Sequence, residues 1–582
     1  MSVDYSARSA AFFASLPASL DAFLVLTGDP WGSEYLADHW VLRAHLTGFS
    51  GSAGTLLLFR NRPAVLWTDS RYTLVAQAQC RTVGIDFQEQ KLPLSQELQP
   101  YVTGLQIGFD PDTLSESDAG TLKKALAEVG AELISIPNAI AKGWVEDRPE
   151  ERLQPLFRIP APEPVSARLT RLRDEIPEHC GCLVGRPEEV AWLTHLRAFD
   201  VPCNTTPFVR LWVPKTGEAV LLADKSRVDP ILQTALAEDG IRLGSLSDIP
   251  DDTGIVVDPA GVPASLFARL RDRHGPLIEK PSVIEHWKSV KSEAELAGIR
   301  EALRRDAVAQ AECYAALEER LAEGPVTEYE ASELLTRCRA AQAGYLCESF
   351  EPIVAVGPHA ASPHYRTPEV GSAPIQGDTL LLIDSGGHFD IGTTDTTRMT
   401  AVGRPSRRIL AASTRVLQGM LALARTRFPA HLPAAALEGI VRGPLWAEGL
   451  DFGHGTGHGI GYAQSVHEGP CRISWRCAEP LCAGNVVSDE PGYYEADAFG
   501  IRWENMLAVR ADEAHPGFLA FEVLTRLPLD RSAFLPDLLT DEEVEQIDEY
   551  HRSCREDLLG APISERARAW VVRLTEPLRK EK

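Results

Sequence analysis

Residues 379–398 read Thr-Leu-Leu-Leu-Ile-Asp-Ser-Gly-Gly-His-Phe-Asp-Ile-Gly-Thr-Thr-Asp-Thr-Thr-Arg. The opening Thr379-Leu-Leu-Leu-Ile383 has the unbroken apolar character of a buried strand. It runs into a carboxylate, Asp384, and then into the turn residues Ser385-Gly386-Gly387. Thr393, Thr394, Thr396 and Thr397 are β-branched and favour a returning strand. A hairpin is therefore expected to bring Asp384 and Asp395 close across the ladder. Alone, Asp-Ser-Gly reads as a turn-initiating motif. Paired with Thr-Thr-Asp eleven positions later, it reads as a site.

Three further residues complete the pattern: His458 in Gly457-His-Gly459, Glu490 in Asp489-Glu-Pro-Gly492, and Glu504 in Arg502-Trp-Glu-Asn505. Each acid lies in or at the end of a β-like apolar run, where a charge is costly unless something pairs with it. Four carboxylates and one imidazole suit two divalent cations such as Mn, Co, Fe or Zn. Such a pair, about 3.5–4 Å apart, activates water. The pattern points to a metallohydrolase.

Gly453-His-Gly-Thr-Gly-His-Gly459 carries four glycines, which disfavours a helix. In a strand, His454, Thr456 and His458 would share one face, and the glycines would let a second backbone or a substrate approach. A phosphate cradle would need a Lys-Ser/Thr ending that is missing here. His467 by itself reads as a hydrogen-bonded core histidine. However, six of the fifteen histidines fall within 359–388 or 454–467, and that clustering favours a site. Arg502 and Glu504 are two apart, so in a strand both face one way, and Arg502 is expected to orient a ligand carboxylate.

A chain of 582 residues exceeds one core, and its length suggests roughly three or four domains. The net charge of −24 argues against nucleic acid or an anionic membrane as the main partner. Eleven scattered cysteines without a Cys-x-x-Cys pair suit a reducing, cytoplasmic setting. The start reads as a mature helix rather than a signal peptide, because its apolar run is short and is flanked by Asp4 and Pro17. No apolar stretch reaches the roughly 18 residues of a membrane span.

Strand and helix signals alternate to about residue 155, an α/β pattern, and Ile159-Pro-Ala-Pro-Glu-Pro164 reads as a linker. A second α/β block, 156–288, has a similar order and resembles a divergent repeat of the first. The third block, 289–582, opens with amphipathic helices over 293–317 and 327–342. Strand and turn signals fill 351–510, and a polar helical tail covers 540–582.

In this order the motifs resemble the "pita-bread" metallopeptidases of family M24B, and specifically the three-domain Xaa-Pro aminopeptidase (aminopeptidase P) branch. The residues that carry the resemblance are Asp384-Ser-Gly with Thr-Thr-Asp395-Thr-Thr-Arg398, Gly453–Gly459, Val466-His-Glu-Gly-Pro470, Ser488-Asp-Glu-Pro-Gly-Tyr-Tyr494 and Gly500-Ile-Arg-Trp-Glu-Asn505. Leu46–Gly54 with Asp69-Ser-Arg-Tyr72, Leu196–Pro202 and Phe518–Glu522 extend it over nearly the whole chain. The chain departs from the family pattern in Ala198-Phe-Asp-Val-Pro-Cys203, in Pro363 before His364 and in Met399-Thr400, and none of these removes a ligand.

The resemblance implies two α/β creatinase-like N-terminal domains, 1–155 and 156–288, then an α+β pita-bread catalytic domain with a helical tail, 289–582. It implies that Asp384, Asp395, His458, Glu490 and Glu504 bind two ions, usually Mn2+, with Asp395 and Glu504 bridging. It makes Glu490 the proton carrier, His364 and His467 contacts to the substrate and oxyanion, His454 a helper behind the site, and Arg71 and Arg502 substrate-facing. The implied hydrolase uses a metal-activated hydroxide to release one residue from peptides with proline second. A cytoplasmic homodimer is also implied. The rivals are an Xaa-Pro dipeptidase, expected to have a single N-terminal domain, a metal-free creatinase-like enzyme, and a non-catalytic binding protein. The last two should have lost ligands that are all present here.

Overall fold

The computed structural model describes residues 3–273 and 275–578. Two compact units emerge: residues before 203 with 206–284, and residues 203–205 with those from 285 onward.

The first unit holds two six-stranded sheets. One is built from β1 (Ala22–Val25), β2 (Thr55–Phe59), β3 (Val65–Thr68), β4 (Asp86–Glu89), β5 (Gln106–Phe109) and β6 (Glu132–Ser135), in the order β4-β3-β2-β1-β5-β6. The other uses β7 (Cys180–Val184), β8 (Arg210–Pro214), β9 (Ala219–Leu222), β10 (Ile241–Gly244), β11 (Gly254–Val257) and β12 (Leu277–Glu279), in the order β10-β9-β8-β7-β11-β12. Order and pairing sense match strand for strand. In each sheet the first three strands pair antiparallel and the remaining neighbours pair parallel. The weak repeat in the sequence is thus a full repeat of topology. Within this unit Trp31 stacks on Phe208 at 5.5 Å, and the Arg210 guanidinium lies 4.4 Å from the Trp31 ring centre.

The second unit opens with α1 (Glu293–Glu323) and α2 (Glu328–Ala340). Each starts on a reciprocal cap, Ser292 with Glu295 and Thr327 with Glu330, which satisfies two otherwise orphan amides. Then come β13 (Ile353–Val356), β14 (Thr379–Ser385), β15 (Thr396–Val402) and α3 (Arg407–Ala424). The strands form one three-stranded antiparallel sheet with β14 central. A second, six-stranded sheet has β16 (Arg427–Pro429), β17 (Gly457–Gly459), β18 (Glu468–Ile473) and β19 (Val486–Asp489). The hairpin β20 (Gly492–Glu495) and β21 (Phe499–Arg502) precedes its last members, β22 (Asn505–Ala511) and β23 (Phe518–Val523). The order is β16-β23-β22-β19-β17-β18. Helices α4 (Asp541–Gly560) and α5 (Glu565–Leu574) form the tail. Residues 579–582, the end of the expected helical tail, lie outside the described residues.

β14 explains why its sequence is uniformly apolar rather than alternating. Leu380 and Leu382 enter one core with Met399, Val416 and Trp503. Leu381 and Ile383 enter another with Val354, Leu335 and Trp570. With both faces buried, each of these side chains contributes about 1.5–3 kcal/mol relative to exposure. Leu382→Ala is expected to cost about 2–5 kcal/mol, the range for a cavity in a packed core. Chemical denaturation checks it, and a cost below about 1 kcal/mol would contradict the two-sided packing.

Candidate active site

The sheet centred on β14 and the six-stranded sheet of the second unit each lead into acidic side chains. Asp384 is the penultimate residue of β14, where its ladder partners are Ile353 and Thr397. The expected antiparallel pairing of the two runs is present, with an excursion in place of a simple turn. Asp395 does not sit opposite Asp384; it lies just before β15, after an excursion in which 387–389 and 392–393 pair in a separate small sheet with Tyr345–Glu348. At the break a Cβ on Gly386 would fall 1.9 Å from Thr394 O, so only glycine allows the strands this close.

The other sheet supplies the rest. His458 lies on β17, Glu490 follows β19, and Glu504 links β21 to β22. The expected strand over 453–459 is also corrected: only Gly457–Gly459 is extended. Arg442 Nη2 donates to His454 O at 2.7 Å, and Glu438 accepts from Thr456 N at 3.2 Å and Thr456 Oγ1 at 2.8 Å. These bonds draw 454–456 off the ladder. The glycines serve close backbone packing, since a Cβ on Gly457 would lie 1.9 Å from Ser488 O and one on Gly459 2.2 Å from Glu468 O.

Donor atoms of Asp395, His458 and Glu504 all lie within 4.8 Å of one another. His458 Nδ1 donates to Gly459 O at 3.0 Å, which turns Nε2 toward Asp395 Oδ2 and Glu490 Oε1, each at 3.4 Å. Glu504 accepts from Thr397 Oγ1 at 2.7 Å, and Glu490 from Ser488 Oγ at 3.2 Å. Arg502 Nε donates to Asp384 Oδ2 at 3.1 Å, while Asp384 Oδ1 is buried with no hydrogen-bond partner.

The electrostatics show a surplus of negative charge in a dry site. Burial pushes Asp395 up to about 6, against the His458 hydrogen bond, with the Asp384 charge adding to the rise. Burial, then Asp395, Asp384 and Glu490, holds Glu504 well above the usual carboxylate range. Burial would lower His458, but Asp395 and Glu490 outweigh it and raise it to about 9. Glu490 stays below its ordinary value because His458, His454, Arg502 and His467 overcome its burial. Two divalent cations fit this donor set. They would balance the carboxylates, take up the unpartnered Asp384 oxygen and use oxygen ligands with one imidazole.

Because the raised groups must shed protons to act as ligands, metal binding should release protons and tighten as pH rises through about 6 to 9. Isothermal titration with Mn2+ at pH 6 and 8, in two buffers of different ionisation heat, reads both effects. Equal affinity at the two pH values would contradict the charge balance.

Family models agree with this arrangement along the chain. "Creatinase/Prolidase N-terminal domain" matches residues 18–143 and again 147–295. "Metallopeptidase family M24" matches 297–511, and the C-terminal region of that peptidase matches 517–578. Aminopeptidase P2 of Arabidopsis thaliana is 32% identical over 98% of this chain and 87% of its own length. A probable Xaa-Pro aminopeptidase P of Paracoccidioides brasiliensis is 33% identical over 96% of this chain and 97% of its own. The chain belongs to the aminopeptidase P branch of metallopeptidase family M24. Among solved structures, the X-prolyl aminopeptidase of Caenorhabditis elegans superposes with a TM-score of 0.91 at 27% identity, covering 99% of this chain and 100% of that one. That protein is described as a cytosolic enzyme with a di-nuclear active site.

Of the remaining residues singled out from the sequence, His364, His454, His467 and Arg502 lie in the second unit and Arg71 in the first. The Arg502 guanidinium, which also reaches Thr397 Oγ1 at 3.3 Å and Pro363 O at 3.3 Å, ties Asp384 to the loop that carries His364. Arg502 Nη1 donates to Tyr494 OH at 2.8 Å, and Tyr494 OH lies 2.8 Å from His454 Nε2. His454 Nδ1 lies 2.8 Å from Gly455 O. One tautomer satisfies the set: His454 donates from Nδ1 and accepts the tyrosine proton at Nε2. Burial lowers His454 to about 4, so it stays neutral. His467 packs edge-on against His458 with ring centres 4.2 Å apart.

Arg71 belongs to the first unit, where it forms a bidentate pair with Asp69, Nε to Oδ1 and Nη2 to Oδ2, both 2.8 Å. Sequence reasoning gave no role to Thr397 or Tyr494. Tyr494 lies in the Ser488–Tyr494 motif and Thr397 in Asp395-Thr-Thr-Arg398. Their signal is a polar side chain inside an otherwise buried motif. No helix among the described residues is long and apolar enough to cross a membrane.

Proposed function

We propose that this chain is a metal-dependent aminopeptidase that releases the N-terminal residue from peptides with proline at the second position. The observation that carries the reading is the charge-surplus donor set, buried at Asp384, Asp395 and Glu504 and half-buried at His458 and Glu490, within a chain similar over nearly its full length to aminopeptidases P. These five residues would hold two divalent ions, with Asp395 and Glu504 at the centre of the donor set beside His458. Manganese is our choice of ion. When bound, the pair would supply an acidified water and polarise the scissile carbonyl.

The chain's own residues supply the rest. Glu490, kept ionised near neutrality, is poised to take a proton from water and deliver it to the departing proline nitrogen. His364 and His467 would face the substrate and donate to the developing oxyanion. Arg502 fixes Asp384 and is itself steadied by Tyr494 and neutral His454. Arg71 would contact the substrate. A prolyl amide has no N–H, so contacts that recognise an ordinary second residue fail, which is the chemical reason for a dedicated enzyme. We further read the protein as a cytoplasmic homodimer with domain boundaries near 155 and 288.

The test compares arginine release from Arg-Pro-Pro and Arg-Ala-Ala with cleavage of Ala-Pro, after chelation and Mn2+ add-back. Restored release from Arg-Pro-Pro alone is expected. Cleavage of Ala-Pro alone would make the protein a dipeptidase.

A further inference from the structure

Asp384 and Asp395 are each followed or preceded by a buried hydroxyl, and both hydroxyls end on one ion pair. Arg339 of α2 donates Nε to Asp306 Oδ1 of α1 at 2.6 Å and Nη2 to Ser385 Oγ at 3.0 Å. Thr394 Oγ1 donates to the second oxygen, Asp306 Oδ2, at 2.8 Å. Gln310 Nε2 also reaches Asp306 Oδ2, at 3.1 Å, and Arg339 Nη1 binds Glu348. The planar guanidinium therefore has all its nitrogens engaged, and both Asp306 oxygens are used. Arg339, Asp306, Ser385 and Thr394 are each 1% exposed or less. The intervening backbone lies flat against them, since a Cβ on Gly387 would fall 2.6 Å from Arg339 Cδ.

A wholly buried ion pair is poor value as a source of stability, because removing both charges from water offsets their attraction. Holding a unique geometry is the better-attested use. Here the geometry held is specific. One rigid pair grips Ser385, the residue after Asp384, and Thr394, the residue before Asp395, nine positions apart along the chain and on either side of the break in the ladder.

We infer that the Arg339–Asp306 pair is a positioning device that sets the separation of Asp384 and Asp395, and through it the affinity of the site for its metal ions. This rests on the reading of those two aspartates as ligands. A site of this kind needs its donors held to within about 0.5 Å, and residues behind metal ligands typically tune affinity by about 10–100-fold.

The double variant Ser385→Ala/Thr394→Val disconnects both strands from the clamp and leaves the ion pair itself intact. Titration of the chelated protein with Mn2+ should show affinity weakened about 10–100-fold. At saturating Mn2+, kcat on Arg-Pro-Pro should largely return with KM little changed. Thr394→Ser, which keeps the hydroxyl, should bind Mn2+ like the wild type. If the double variant does not fold, Ser385→Ala alone is read the same way. Wild-type Mn2+ affinity in the disconnected variant, while Asp395→Asn loses it, would overturn the clamp and leave the ligand assignment standing. Wild-type affinity in both would overturn the ligand assignment, and the clamp with it.

Discussion

Asp395→Asn should abolish turnover while leaving the chain folded. Asp395 lies among the His458 and Glu504 donors, so its charge would face the ions that this set would hold. Losing a unit charge about 4 Å from a divalent cation forfeits roughly 8 kcal/mol at an effective dielectric near 20. At about 1.4 kcal/mol per tenfold, that is an upper bound on the order of a millionfold in metal affinity. The effect on the metal-free protein has the opposite sign. Burial raises the Asp395 carboxyl to about 6 from an unfolded value of about 3.9. Its contribution is therefore intact below about pH 4 and is lost as pH rises through 6, so the ionised wild type carries a penalty at pH 7. Asparagine carries none. The chelated variant should melt at or above the chelated wild type at pH 7, while Mn2+ raises only the wild-type Tm. Wild-type turnover by the variant with metal bound would rule out the role assigned to Asp395.

Glu490→Gln should lower kcat on Arg-Pro-Pro by about 10²–10⁴-fold, the usual worth of a positioned proton carrier. Glu490 is the acid of the cluster whose pKa is depressed, with His458, His454, Arg502 and His467 outweighing its burial. It is thus ionised near neutrality, whereas Asp395 and Glu504 hold protons more tightly in the metal-free protein. In the wild type, activity should fall as pH drops through the Glu490 titration, because the proton acceptor is lost. Glutamine is isosteric and keeps one ligating oxygen, so the loss in kcat should exceed the loss in Mn2+ affinity. Steady-state kinetics with parallel metal titration decides between the roles. Equal losses in both would mean that Glu490 acts only as a ligand.

What the sequence made legible follows from local physics. The apolar run before Asp384 could only be a strand covered on both faces, and its four side chains divide between two cores. The amphipathic patterns over 293–317 and 327–342 gave α1 and α2, whose observed spans are Glu293–Glu323 and Glu328–Ala340. The acids could be chosen because each carries a charge into an apolar context. What stayed hidden depends on distant partners. The cross-strand partner of Asp384 is Thr397 because the Gly386–Thr394 excursion takes residues out of the ladder, and no local pattern counts them. Residues 454–456 leave the strand because Glu438 and Arg442, on a preceding helix, claim their polar groups. Thr397, Tyr494, Asp306 and Arg339 gain their meaning only through contacts made across the fold.

The central claim is that two divalent ions in the Asp384–Glu504 donor set drive Xaa-Pro cleavage. The most direct measurement titrates the chelated protein with Mn2+ while following arginine release from Arg-Pro-Pro, with Arg-Ala-Ala as the control. Release should begin from zero, saturate at two ions per chain and stay absent for Arg-Ala-Ala. Full release in chelator, or equal release from both peptides, would contradict it.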